Sequence, residues 1–410
     1  MKKLVLLTGA IILFASPLFA DSGYGRDRVQ IHGFISQGYI QSSANDFYLA
    51  DTDRGTFEYN EMGINFSSVI SDDLRVGVQF LSRDLGDIGN NEIDVDWAYG
   101  DYNYRNWLGL RVGKFKQPIA LFNQYRDIDA TRTCIFLPPT MIYREDFRDT
   151  NLATRGAGIY GTLAGGLEYQ AFYGVMEIDD DGGVVRVLSD ALKAQYGGGV
   201  ETDVATTEVD PTYGIWLNWN TPLSGLSVGG NYGNFDLDLD AKVINPVPVG
   251  GGAYMNTYFP LSYTLYGDVT RVFSQYRYND LMLAGEYGWF ETNTEATGPG
   301  VRTKAETDAI DWYLMATYRV SPWFELGTYY TEMYREEDDK DGAIFILQGQ
   351  PREKAWRKDW AVSTRFDITM NWIFKLEAHF MDGLLHVDYG NETDPSDKWQ
   401  MYAAKLTYTF

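Results

Sequence analysis

The sequence predicts an all-β fold: a sixteen-stranded antiparallel transmembrane β-barrel with its third loop folded inward. Three observations carry that expectation. Apolar residues recur at every second position in run after run, short turns alternate strictly with long polar loops, and the last strand runs to Phe410. A period of two places alternate side chains on opposite faces of an extended strand, one face for lipid and the other for water.

The chain begins with Lys2 and Lys3, an apolar run from Leu4 to Phe14, and then Ser16-Pro17-Leu18-Phe19-Ala20. A basic start, a short apolar run and a small residue read as an export leader, residues 1–20, cut after Ala20. The run is shorter than the roughly 20 apolar residues of a spanning helix, and no later segment approaches that length. Residues 21–410 remain as one barrel domain.

In order, strands are expected near 29–41, 57–70, 74–82, 93–103, 107–115, 155–163, 166–176 and 212–220. The second half adds 225–236, 268–279, 281–291, 308–320, 323–333, 357–368, 372–383 and 399–410. In LRVGVQF, Leu74, Val76, Val78 and Phe80 share one face, with Arg75 and Gln79 on the other. IDVDWAY sets Ile93, Val95, Trp97 and Tyr99 against Asp94 and Asp96, and IDWYLMATYRV and WIFKLEAHF repeat the pattern. Such runs, of about 9–11 residues, suffice for a tilted strand to cross a bilayer. No helical stripe of comparable strength is evident outside the leader.

The tight connections, among them Ser71-Asp72-Asp73, Asn279-Asp280 and Ser321-Pro322, carry the residues that hairpin turns require. Between them lie long polar stretches such as EIDDDGG, DLDLDA and REEDDKDG. Short turns on one side and long loops on the other are the plan of bacterial outer-membrane barrels. The last strand must pair with the first, because an open edge in lipid strands backbone N–H and C=O groups without partners. Its alternating Leu406, Tyr408 and Phe410 resemble the C-terminal signal of outer-membrane proteins that the barrel-assembly machinery reads.

Composition excludes several classes. A net charge of -23, before loss of the two leader lysines, argues against nucleic acid. Cys134 stands alone, so no intramolecular disulfide forms. No nucleophile–base arrangement, cofactor motif or calcium-loop spacing appears, so neither an enzyme nor a metal site is expected. The acidic runs at Glu177–Asp180 and Glu336–Asp341 read as solvated loop, bridged by cations to lipopolysaccharide.

Sixteen strands leave an aqueous lumen, so a pore for passive diffusion of small hydrophilic solutes or ions is expected. The longest loop, Lys116 to Thr154, contains KQPIALFNQY and CIFLPPTMIY, too apolar for a solvated loop. It should pack on the inner wall and narrow the pore; the rival reading is a loop that projects outward to lipopolysaccharide or a partner. Its charges are the candidate constriction: Lys116, Arg126, Arg132, Arg144 and Arg148 against Asp127, Asp129, Glu145, Asp146 and Asp149. The facing wall offers Arg75, Arg111, Arg365, Lys375 and Lys405, opposed by Asp94, Asp96, Glu325 and Glu377. Opposed charges across a constriction orient polar solutes; the alternative use is to pin the loop by salt bridges.

The same region carries a family likeness. LRVGKFKQPIALFNQYRD, followed by YREDFRD and RGAGIYG, is similar to the stretch around the third loop of Gram-negative outer-membrane porins. It resembles most the phosphate-selective porin superfamily, with Gly113, Phe115, Lys116 and Pro118 at the strand exit and Arg155 and Gly158 at the next strand's start. That resemblance implies a homotrimeric channel with the loop folded into each lumen. The basic ladder of phosphate-selective relatives has no evident counterpart, so phosphate selectivity does not carry over. Two further readings stay open: a sheath around a periplasmic partner, and a surface receptor or adhesin acting through its acidic loops.

Overall fold

The structure, a computed structural model, describes residues 29–47, 50–86, 88–145, 148, 153–176, 182–196, 201–250, 253–387 and 395–410. The expected leader lies outside them, as do Asp146, Asp149 and the acidic run at 177–180. The first half holds β1 (Gln30–Ser42), β2 (Tyr59–Val69), β3 (Leu74–Leu85), β4 (Ile93–Arg105), β5 (Leu108–Lys116), β6 (Ala153–Leu163), β7 (Leu167–Met176), β8 (Glu201–Val209) and β9 (Thr212–Asn220). The second holds β10 (Leu226–Gly250), β11 (Ala253–Tyr278), β12 (Leu281–Gly298), β13 (Val301–Ser321), β14 (Phe324–Tyr334), β15 (Trp356–Asp367), β16 (Trp372–Gly383) and β17 (Lys398–Thr409).

Each wall strand pairs antiparallel with its neighbour, β7 joins β9, and β17 returns to β1 with Phe34 opposite Thr409. Sixteen strands thus close the ring, and β8 is an extra. Gly33 and Phe410 exchange N–H···O bonds of 3.0 Å in both directions, so the ladder closes on the terminal residue. The tight turns fall where the sequence puts them. Outward positions such as Ile35, Val112, Leu314 and Leu376 are exposed and apolar, and Tyr104, Trp107, Tyr278, Trp323 and Trp372 ring the short-turn end. That arrangement is the apolar band and aromatic girdle of a membrane barrel.

Four expectations need correction at the long-loop end and one in the wall. DLDLDA is not loop: β10 runs on to Gly250 and β11 starts at Ala253. Leu237, Leu239, Ala241 and Val243 are all buried on one face, so the aspartates are the wet side of a strand. β12 and β13 likewise continue to a turn at Pro299-Gly300. β8 pairs with β10 above β9, so β8 and β9 form one line broken at Asp210-Pro211, where proline has no N–H to donate. A helix, α1 (Gly183–Tyr196), packs Val185 and Leu192 on Val204, Val243 and Leu261. In the wall, the β3–β4 register shifts beside Asp96: Phe80 faces Val95 but Gln79 faces Trp97. This bulge turns Trp97 and Tyr99 inward, contrary to simple alternation.

The main apolar core lies inside the barrel. Ile119, Ala120, Leu137, Ile142 and Tyr143 of the third loop pack on Phe172, Val269, Tyr313, Met315 and Tyr329 of the wall.

Candidate functional site

The connection between β5 and β6 leaves the wall at Pro118, which cannot continue a ladder. Gln117 Nε2 donates to Thr154 Oγ1 at 2.7 Å and ties the two stems together. Ala120 then takes a left-handed φ of 55°. That bend lets its N–H donate to Asn231 Oδ1 (2.8 Å) while its carbonyl accepts from Trp216 Nε1 (3.2 Å). From there the segment crosses the lumen and is fastened at four places.

The first fastening uses β11, β12 and β13. Glu286 Oε1 accepts from Leu121 N (3.1 Å), Tyr143 OH (2.6 Å) and Tyr313 OH (2.7 Å). Arg271 bonds Glu286 at 3.0 Å and Asp311 at 2.5 Å, and Asp311 accepts from Met141 N at 2.9 Å. The second uses β15 and β16. Glu377 accepts the backbone N–H groups of Ile135 (2.7 Å) and Phe136 (3.0 Å) and also contacts His379 Nε2 at 2.9 Å. Asp359 meets His379 Nδ1 from the other side at 2.9 Å.

The third is built on Asp129. Lys375 donates to its Oδ1 at 2.9 Å and its carbonyl at 2.7 Å, Thr407 to its Oδ2 at 2.8 Å, and Lys405 stands at 3.5 Å. Burial acts to raise the Asp129 carboxyl, but Lys375, Lys405 and Arg132 outweigh it and hold it well below the usual carboxylate range. The fourth joins Arg148 to Glu61, Asp127 and Glu145, and Lys116 to Asp127 and Asp96. Within the loop, Arg126 donates to the carbonyls of Ile142 (2.9 Å), Tyr143 (3.1 Å) and Arg144 (2.7 Å) and folds the segment onto itself.

Most of the charges picked from the sequence therefore meet, but as buried pairs rather than as a wet ring. Arg126, Asp127, Asp129, Arg144 and Arg148 are all buried. Arg132 donates to Ile135 O at 3.1 Å, and Arg365 donates to Ala130 O at 2.6 Å. Glu325 accepts from Thr133 Oγ1 at 2.5 Å and pairs with Arg319. Arg111 pairs with Asp101 at 2.9 Å between the rings of Tyr99 and Tyr160. Arg75 and Asp94 stand exposed near opposite ends of the barrel, outside the lattice. Burial and the Glu377 charge push the Cys134 thiol up to about 12, so it is an inert core group.

Sequence reasoning passed over Glu61, Arg271, Glu286, Asp311 and Asp359. The signal was there: each is a charged residue on the inward parity of a membrane strand, a place where an unused charge is costly.

Two cavities lined by described residues lie beside the loop. One of about 70 Å³, towards the short turns, is lined by Phe122, Arg132, Arg277, Thr317 and Glu325 among others. The other, of about 270 Å³, lies on the long-loop side between the third loop, the wall, α1 and His386.

Residues 7–341 match a family model described as Gram-negative porin. Among curated proteins there is no match. Among solved structures the chain is similar to an anion-selective porin from Comamonas acidovorans, with TM-score 0.53, 12% identity and coverage of 93% of this chain and 99% of that one. OmpF of Salmonella typhi in complex with daunomycin gives TM-score 0.56 and 12% identity over 93% of this chain and 97% of that one. The outer membrane channel DcaP of Acinetobacter baumannii gives 0.52 and 11% over 93% and 97%. At these identities the likeness is one of fold.

Proposed function

Because the chain belongs to the Gram-negative porin family and is an outer-membrane channel for small solutes, we propose that its flux is set by the third loop, held as a fixed constriction. The observation that supports this reading is the buried lattice around Asp129, Glu286, Glu377 and Arg148. Breaking one buried ion pair costs about 3–5 kcal/mol, and the segment is held by such pairs at Asp129 and Arg148 and by hydrogen bonds to the carboxylates of Glu286, Asp311 and Glu377, so it does not swing as a lid. Small hydrophilic solutes or ions pass beside it.

The sheath reading loses ground on the same observation, since the loop occupies the space a protein partner would need. His379 has a carboxylate on each ring nitrogen, which leaves neither free for a nucleophile and favours a channel without catalysis. An export leader at 1–20, the terminal Leu406, Tyr408 and Phe410 as an assembly signal, and a homotrimer are carried with this reading. The exposed outward Leu406 and Phe410 are consistent with it.

The test is a single-channel recording of the purified protein in a planar bilayer beside a variant with residues 120–143 replaced by a short glycine–serine link. Conductance should rise severalfold. Equal conductance in a correctly folded, heat-modifiable variant would place the constriction elsewhere.

A further inference from the structure

The cavity on the short-turn side of the third loop is small and lopsided in charge. Its lining includes the guanidinium groups of Arg126, Arg132 and Arg277 against the single carboxylate of Glu325. That carboxylate is already engaged, by Arg319 at 2.5 Å and by the hydroxyl of Thr133 at 2.5 Å. Arg277, exposed near the end of β11, pairs with no carboxylate among the described residues. Its Nε donates to Gln275 Oε1 at 2.9 Å, and its two Nη groups are uncommitted. The two loop arginines are held by the far ends of their side chains. Arg126 commits Nη1 and Nη2 to the carbonyls of Ile142, Tyr143 and Arg144 and to Glu145. Arg132 commits its own to the carbonyls of Arg126 and Ile135. The Nε–H of each is left buried with no acceptor among the described residues, and Arg126 is only 2% exposed. On the wall, the buried hydroxyl of Thr317 is likewise uncommitted among the described residues.

A buried N–H on a charged side chain is costly without an acceptor, and such a group calls for a specific partner. We infer that this cavity is a binding site for one monovalent inorganic anion of about halide size, held against the short-turn face of the constriction. The donors around it are of the right kind: an Nε–H from each loop arginine, the Thr317 hydroxyl from β13 and the Nη groups of Arg277 from β11. All are N–H or O–H groups, and three stand on cations that repel a metal ion. Size sets the upper limit. A cavity of about 70 Å³ is close to two waters at roughly 30 Å³ each, which is room for a halide and one water. A doubly charged oxyanion such as sulfate would surrender far more hydration to enter, and the Glu325 carboxylate would repel it more strongly. A neutral solute would leave the guanidinium charge unmatched. Arg277, the exposed member of the set, meets the ion first, and the loop arginines receive it without giving up the bonds that fold the loop. The site rests on the channel reading only in lying on the solute's path beside the constriction.

The probe is chloride, titrated as its potassium salt into the purified full-length protein in detergent and followed by the broadening of the chloride-35 NMR line. Nitrate and sulfate are run as competitors at constant ionic strength. The parent should show saturable broadening that nitrate displaces and that sulfate displaces at least tenfold less well. Arg277→Gln and Thr317→Val, neither of which touches the bonds that hold the loop, should each weaken chloride at least fivefold while the protein stays heat-modifiable. Arg105→Gln, which removes an equal charge from the exposed end of β4, should change the affinity less than twofold. Absence of saturable broadening overturns the inference, as does sulfate competing as well as nitrate or unchanged affinity in either cavity variant. An equal loss in Arg105→Gln also overturns it, because diffuse attraction would then account for the binding. Potassium chloride conductance is recorded on the same samples. A protein that conducts but does not hold chloride here refutes this site alone, whereas one that does not conduct refutes the channel reading.

Discussion

Asp129→Ala removes the carboxylate on which the third fastening depends, and its effect differs for the two lysines it serves. Lys405 keeps Glu61 at 2.6 Å. Among the described residues, Lys375, whose side chain is 0% exposed, keeps only the carbonyls of residues 129 and 134, at 2.7 and 3.2 Å. One ammonium is therefore left buried without a carboxylate. Removing one partner of a buried pair costs about 3–5 kcal/mol, and the two carbonyls put this case at the low end, about 3 kcal/mol. Lys375→Met in the same chain removes the orphan charge, so the double variant should recover to within about 1 kcal/mol of the parent, a coupling in the range of roughly 0.5–3 kcal/mol seen for contacting residues. Reversible urea unfolding in lipid vesicles, read by tryptophan fluorescence, gives the stabilities, and single-channel conductance reads the loop. The single variant should show larger or noisier currents, and the double variant should be quiet again. A loss below about 1 kcal/mol, as for an exposed pair, together with an unchanged current, would refute the claim that this lattice holds the loop. Acid gives a second check. Because the Asp129 pKa is lowered in the fold, its stabilisation is complete above the usual carboxylate range and is lost only as pH falls through the lowered value. Its hold on the loop should persist from pH 7 to pH 4.

Facing and closure are tested by two further changes. Leu314→Arg, outward and near mid-strand at 63% exposure, should cost about 2–4 kcal/mol in the same unfolding assay, while Tyr318→Arg, close to the short-turn end, should cost at most about 1 kcal/mol; equal costs would mean that β13 is misplaced in depth. Phe410→Asp, next to the Gly33 pairing that shuts the ring, should lower the yield of heat-modifiable barrel in the outer membrane, and a normal yield would remove the terminal aromatic from any role in assembly.

The barrel was legible because lipid enforces its rule on every strand. A wall strand cannot afford an unpaired backbone group or a polar outward face, so alternation shows wherever the chain crosses. Above the membrane the constraint lapses, and there the reading was poorest. DLDLDA alternates as cleanly as any wall strand, yet its aspartates look like loop when hairpin pairing is not known to continue. α1 carries its packed stripe, Val184, Val185, Leu188 and Leu192, over just 14 residues, too short to stand out. The bulge at Asp96 could not be read at all, since one extra residue reverses facing without changing composition.

The third loop was legible in outline for the converse reason. CIFLPPTMIY cannot sit in water, and inside a barrel the only dry place for it is one it makes itself. Creating that dry place changes the meaning of every charge around it. Asp129, Arg126 and Arg148 look like a selectivity ring while the lumen is assumed wet, but once the apolar segment excludes water each must find a partner. The pairs found, Asp129 with Lys375, Arg148 with Asp127 and Arg271 with Asp311, balance acid against base within the lattice. Fixed, neutralised pairs give a passing solute shape but little net field.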